Sequence, residues 1–140
     1  MQVRAAVQSS AAGHEVAVST DGRASSVAVP GRPGGGSALT GGELLCAALA
    51  TCYCNDIYRE AARRGVAVRA VTVEVEAEFG GRGEPARRIA YTARVDSDAP
   101  ATEIEALLRE TDAVAEVQNT LRSGLPVDLR LTPAADPHAP

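Results

Sequence analysis

The sequence predicts an α/β domain of the α+β kind, with antiparallel strands covering one long helix. Three observations carry this expectation. Residues 44–54, Leu-Leu-Cys-Ala-Ala-Leu-Ala-Thr-Cys-Tyr-Cys, are apolar on nearly every helical face, and a helix apolar all round is one that must be covered. Arg69 to Phe79 and Arg88 to Val95 alternate apolar and polar residues on either side of a Gly/Pro turn, the period of half-buried strands. The first thirty residues repeat that alternation in shorter segments.

The elements follow in order. Val3 to Val7 reads as a strand. Glu15 to Ser19 and Ser25 to Val29 alternate around Thr20-Asp-Gly-Arg23 and predict a hairpin over 14–29. Pro30-Gly-Arg-Pro-Gly-Gly-Gly-Ser37 is a loop, rich in glycine but without a phosphate-binding or dinucleotide fingerprint. Thr40-Gly-Gly-Glu43 is a capping box that opens the long helix, and Gly65 suits its C′ position. The helix spans residues 41–64, about 36 Å at ~1.5 Å per residue. Val71, Val73, Val75, Ala77 and Phe79 share one face of the next strand. Ile89, Tyr91, Ala93 and Val95 share the facing side of its partner, so the hairpin is expected to pack on the helix. Thr102-Glu-Ile-Glu105 predicts a second capped helix to about Thr111, and Asp112 a cap for a third that ends near Gly124. Pro126 to Leu131 is expected as a last strand. Residues 1–132 form one domain in this reading, and 133–140 a disordered Pro/Ala-rich tail.

Composition narrows the function. A length of 140 residues leaves room for one core. The net charge of −4 argues against general nucleic-acid binding. No apolar run is long enough to span a bilayer and Met1 to Ser10 lacks a signal-peptide pattern, so a cytoplasmic protein is expected. The three cysteines, Cys46, Cys52 and Cys54, crowd one apolar stretch, unlike a secreted disulfide framework. On a helix, residues two apart point about 200° away from each other, so Cys52 and Cys54 do not readily share a disulfide or a metal. Cys46 and Cys52 stand roughly 9 Å apart along the axis, beyond the ~7 Å reach of a bridge. The only histidines are His14 and His138. No metal and no cofactor are therefore expected, and Cys46 and Cys54 read as structural.

Cys52 admits two readings from residues alone: a buried cysteine acting as a small hydrophobe, or a nucleophilic thiolate on a helix. Glu43 reads as the capping-box carboxylate and as a group that orients an arginine. Asp56, one turn after Cys52, would raise a thiol pKa unless a cation intervenes.

The stretch Gly34 to Cys52, and within it Glu43, Leu44, Leu45, Ala47, Ala48, Leu49 and Cys52, resembles the OsmC/Ohr family. That family has a Gly/Pro-rich loop followed by an E-L-L-x-A-A-L-x-x-C helix. Asp56 matches a C-x-x-x-D variant, and Thr120-Leu-Arg-Ser-Gly-Leu-Pro-Val127 fits the C-terminal half. The resemblance covers about residues 10–131. It implies an OsmC-like fold, an intertwined homodimer with antiparallel sheets wrapped around long central helices, and a thiol-dependent peroxidase acting on small organic hydroperoxides. Cys52 then stands as the peroxidatic cysteine and Glu43 approximately as the carboxylate that holds an arginine near it. Two departures are visible. The family's resolving cysteine falls at Ala115, and its N-terminal arginine falls near Gly13-His14, which leaves His14 and Arg23 as candidate replacements. Two functions follow: a one-cysteine peroxidase resolved by an external thiol reductant, or a non-enzymatic dimer that holds an apolar small molecule with Cys52 lining the pocket. The protonation state of Cys52 separates them, a thiolate at neutral pH pointing to the first.

Overall fold

The computed structural model describes residues 1–131; the tail expected over 133–140 lies outside the described residues. In chain order the elements are β1 (Val3–Ser10), β2 (Gly13–Thr20), β3 (Arg23–Val27), α1 (Gly41–Arg64), β4 (Ala70–Phe79), β5 (Ala86–Asp96), α2 (Ala101–Val114) and α3 (Glu116–Arg122). The strands form two antiparallel sheets, β1-β2-β3 and β4-β5. The mixed α/β class with antiparallel sheets is as expected.

Local chemistry sets the N-terminal sheet. Asp21 and Gly22 both take positive φ, 48° and 80°, as a two-residue primed hairpin turn requires. The Asp21 carboxylate also accepts from the Gln2 N–H at 2.7 Å, which ties β1 to that turn. β1 runs three residues further than the alternation suggested and pairs with β2 up to Ser10 opposite Gly13.

α1 forms over the expected span. Thr40 Oγ1 accepts from the Glu43 N–H at 3.1 Å, and the Glu43 carboxylate accepts from the Thr40 N–H at 2.6 Å. Two otherwise unpaired donors at the helix start are thus satisfied. At the far end Gly65 adopts φ 71°, and its N–H reaches the carbonyls of Ala61 and Ala62. The ring of Phe79 lies against Gly42, where a Cβ would stand 3.0 Å from it, so the missing side chain lets the end of β4 close on the start of α1.

The core is built from Tyr53, Ile57 and Ala61 of α1 with Val66, Leu107 and Ala115. Val71 and Val73 of β4 and Tyr91, Ala93 and Val95 of β5 cover it. In the β4–β5 register Val73 faces Ala93 and Val75 faces Tyr91. The Tyr53 and Tyr91 rings meet edge to face with centroids 4.9 Å apart, and the Tyr53 hydroxyl donates to the Leu108 carbonyl at 2.7 Å.

Three local expectations are corrected. The second capping box does not form. α2 starts at Ala101 behind Pro100, whose carbonyl accepts from the N–H groups of Glu103 and Ile104. A proline fixes the entry conformation without a side-chain cap. Asp112 lies inside α2 rather than capping α3, which instead follows the extended Ala115. Residues 126–131 form no strand; Val127 and Leu129 are exposed and pair with nothing among the described residues. Among the described residues the β4-β5 hairpin, α2 and α3 cover α1, while β1 is exposed over its whole length. The first half of α1 is likewise bare on one side, where Leu44, Ala47, Ala48 and Thr51 are exposed. No helix among the described residues is long and apolar enough to cross a membrane.

Candidate functional site

Cys52, Asp56 and Arg59 sit at positions i, i+4 and i+7 of α1 and so share one side of the helix. Across from them lies the start of α3, which brings Glu116 and Val117. The Cys52 thiol donates to Asp56 Oδ2 with Sγ 3.6 Å away. Arg59 Nη1 lies 2.6 Å from the other oxygen of Asp56 and 3.7 Å from the Glu116 carboxylate. The backbone N–H of Val117 points at the sulfur from the first turn of α3.

Asp56 is 4% exposed, a depth at which a lone carboxylate is costly and pairing is the rule. Burial raises its pKa above the usual aspartate value and the Glu116 charge adds to the rise; Arg59 and the thiol hydrogen bond pull the other way. Burial likewise pushes the Cys52 thiol up, and the charges of Asp56 and Glu116 add to it. The Val117 N–H, the one group that favours the thiolate, does not offset them. The resting sulfur is therefore a thiol hydrogen-bonded to a carboxylate.

All three cysteines are free. Cys52 Sγ and the oxygens of Asp56 and Glu116 lie within 4.8 Å of one another. This donor group was not visible in the cysteine spacing and histidine count from which no metal was expected. Arg59 already meets its negative charge.

The other residues singled out in the sequence lie elsewhere. Glu43 is held in the cap of α1, nine residues before Cys52 and about 13 Å along the axis. Its hydrogen bonds with Thr40 keep its carboxyl below the usual glutamate range. His14 packs beside Gly31, and its Nδ1 has no partner among the described residues. Arg23 opens β3 opposite Thr20. Neither His14 nor Arg23 is among the groups that act on Cys52 within the chain. The cation that does reach the Cys52–Asp56 pair is Arg59, which the sequence reading did not pick out although its i+3 spacing from Asp56 was available. Glu116, Val117 and Gln118 were also missed. They arrive only through the docking of α3, where Gln118 Nε2 donates to the Leu49 carbonyl at 3.0 Å.

Residues 34–130 match the family model described as OsmC-like protein. The chain belongs to the OsmC-like family. Solved structures agree in fold. An OsmC-like protein from Mycoplasma pneumoniae superposes with a TM-score of 0.63 at 16% identity, covering 94% of this chain and 98% of that one. An organic hydroperoxide resistance protein OsmC from Legionella pneumophila gives 0.59 at 19% identity, over 87% and 90%. A putative organic hydroperoxide resistance protein from Vibrio cholerae, with captopril bound in one of its active sites, gives 0.58 at 20%, over 87% and 85%. No curated protein matches the chain. In this OsmC-like chain position 115 is a fully buried alanine, two residues before the N–H that faces the Cys52 sulfur.

Proposed function

We propose that this OsmC-like protein is a one-cysteine thiol redox protein that reduces small organic hydroperoxides through Cys52. The observation that carries this reading is the Cys52 thiol hydrogen-bonded to the buried Asp56 carboxylate, with an N–H of α3 on the sulfur. The names of the Legionella and Vibrio neighbours, both hydroperoxide resistance proteins, support it.

The chemistry runs through general base catalysis rather than a resting thiolate. As the sulfur attacks the terminal peroxide oxygen, the thiol proton passes to Asp56 Oδ2. The O–O bond breaks, the alkoxide takes that proton, and the products are an alcohol and a Cys52 sulfenic acid. A carboxylate whose pKa is raised by burial is better matched to hold and return a proton than an exposed aspartate. Arg59 keeps Asp56 oriented. With alanine at 115, one external thiol converts the sulfenic acid to a mixed disulfide and water, and a second releases the disulfide and restores Cys52. A reducing cytoplasm supplies such thiols. The exposed stripe on α1 and the bare β1 favour a homodimer as the working unit.

The raised thiol pKa favours the second reading, a small-molecule-binding dimer without catalysis. Consumption of cumene hydroperoxide with a dithiol reductant, wild type against Cys52→Ser, separates the two. Loss of turnover in a folded Cys52→Ser protein supports the peroxidase. Equal, background consumption by both leaves the binder.

A further inference from the structure

The Cys52 thiol is partly exposed, so the charges around it act on whatever approaches. Arg59, the cation beside the site, is shared among three carboxylates. Its Nη1 lies 2.6 Å from Asp56 and 3.7 Å from Glu116, and its Nε lies 2.9 Å from Glu60. Arg63 also reaches Glu60, at 3.7 Å. Two guanidiniums thus meet three carboxylates, and Glu116, whose one ion pair is the long contact to Arg59, holds the charge in excess.

Glu116 is placed where an incoming ion feels it. Its side chain is 64% exposed, whereas that of Asp56 is buried, and one of its oxygens lies within 4.8 Å of Cys52 Sγ. The two charged groups that act on the sulfur are Asp56 and Glu116, and both disfavour further negative charge there. The start of α3 offers one opposing group, the Val117 N–H, and Glu116 itself answers that helix end from the first turn. At about 5 Å, a unit charge alters a rate several-fold even in water.

We propose that Glu116 is a specificity-determining residue that sorts the thiols and disulfides reaching Cys52 by charge, admitting cationic and uncharged ones and holding off anionic ones. The inference rests on the reading of Cys52 as a redox centre. The external thiol that resolves the sulfenic acid is then a small thiol without net negative charge, an aminothiol being the best case. In that step the incoming sulfur bonds to the Cys52 sulfur and the sulfenic oxygen leaves as water. A carboxylate on the incoming thiol adds a second negative charge beside Glu116; an ammonium group offsets the charge of its own thiolate.

The first test needs no peroxide. Methanethiosulfonates bearing an ethylammonium, a methyl or an ethylsulfonate group each convert a thiol to a mixed disulfide: the Cys52 sulfur bonds to the reagent's thiol sulfur, methanesulfinate leaves, and the thiol proton passes to solvent. Rates at Cys52 are followed by mass spectrometry, with fragmentation to place the label, and each is divided by the reagent's rate with 2-mercaptoethanol. At low salt the ammonium reagent is expected to exceed the sulfonate about tenfold, the effect of two unit charges at this distance. Near 1 M salt, where screening sets in at ~3 Å, the ratio is expected to approach unity. Glu116→Gln is expected to cut the low-salt ratio to about threefold and Glu116→Lys to reverse it. Both change an exposed side chain, so either alone decides. Glu76→Gln makes the same change of net charge on the exposed face of β4 and is expected to leave the ratio as it was. A wild-type ratio near unity at low salt, or equal shifts with Glu76→Gln and Glu116→Gln, overturns the inference. Hydroperoxide turnover is then compared with cysteamine and with 3-mercaptopropionate as reductant. Faster turnover with cysteamine, reduced to parity in Glu116→Gln, supports the inference. Charge-sorted labelling with no turnover on either thiol removes the redox reading and keeps Glu116 as the charge filter. Equal turnover on both, with unsorted labelling, removes the filter and keeps the redox reading.

Discussion

The Cys52 sulfur and the Asp56 carboxylate face each other one turn apart on α1, 3.6 Å from Sγ to Oδ2. The same contact raises the thiol pKa and supplies the base that removes its proton. These two effects separate on mutation.

Asp56→Asn keeps the shape and removes the charge. The Cys52 pKa is expected to fall, because the Asp56 charge and its hydrogen bond both hold it up. Alkylation at neutral pH then quickens while hydroperoxide turnover drops by about a hundredfold, the usual scale of a lost general base. Rates of iodoacetamide labelling against pH, set beside peroxide consumption, check both. Parallel rise of the two rates sinks the role of Asp56 as base.

Asp56 also shapes stability against pH. Its folded pKa lies above the reference value of 3.8, so the folded state holds more protons than the unfolded state from about that pH upward to the raised value. By linkage this group's contribution is fully present below 3.8 and is lost as pH rises through the folded pKa. Urea midpoints measured from pH 3.5 upward should show this downward component in wild type and not in Asp56→Asn.

Ala115 has no accessible surface and lies two residues from the N–H on the Cys52 sulfur. Ala115→Cys is expected to form a disulfide with Cys52 after one equivalent of peroxide and to protect it from sulfinic acid formation. Overpacking there costs on the order of 1–3 kcal/mol. Peptide mapping under non-reducing conditions checks the bridge; persistent sulfinic acid without it contradicts the prediction.

Ala48 lies in the middle of the exposed Leu44, Ala47, Ala48 and Thr51 stripe. If a second copy covers that stripe, light scattering gives a dimer for wild type. In such a dimer Ala48→Arg shifts the equilibrium toward monomer and lowers the stability that association adds. A wild-type monomer that stays folded on dilution removes the dimer.

The cap of α1 is testable alone. Thr40→Ala removes the acceptor for the Glu43 N–H and loosens the carboxylate's return bond. A loss of about 1 kcal/mol in thermal or urea unfolding is expected.

Much of the fold was legible because its signals are local. Thr40 and Glu43 lie three residues apart, Gly65 follows the last helical residue, and the alternation from Val71 to Val95 needs no knowledge of the rest of the chain. The readings that failed had local signals overridden by neighbours. Thr102 and Glu105 have capping-box spacing, but Pro100 had already set the helix start. Asp112 looks like a cap, yet its carboxylate is taken by Tyr91 and Arg122. Residues 126–131 have strand-like composition and no strand to pair with among the described residues. At the site, Cys52, Asp56 and Arg59 were within reach of helical spacing. Glu116, Val117 and Gln118 were not, because Glu116 follows Asp56 by 60 positions and only packing brings them together.

The N–H that faces the Cys52 sulfur belongs to a helix of seven residues, held down by the buried Ala115 and by the bond from Gln118 to the Leu49 carbonyl. Whenever α3 lifts, the sulfur loses that N–H and meets solvent in the same event. Because Cys52 is already partly exposed with α3 in place, thiol labelling does not count these events; hydrogen exchange at the Val117 amide does, reading how often one short helix leaves the surface while the rest of the molecule stays folded.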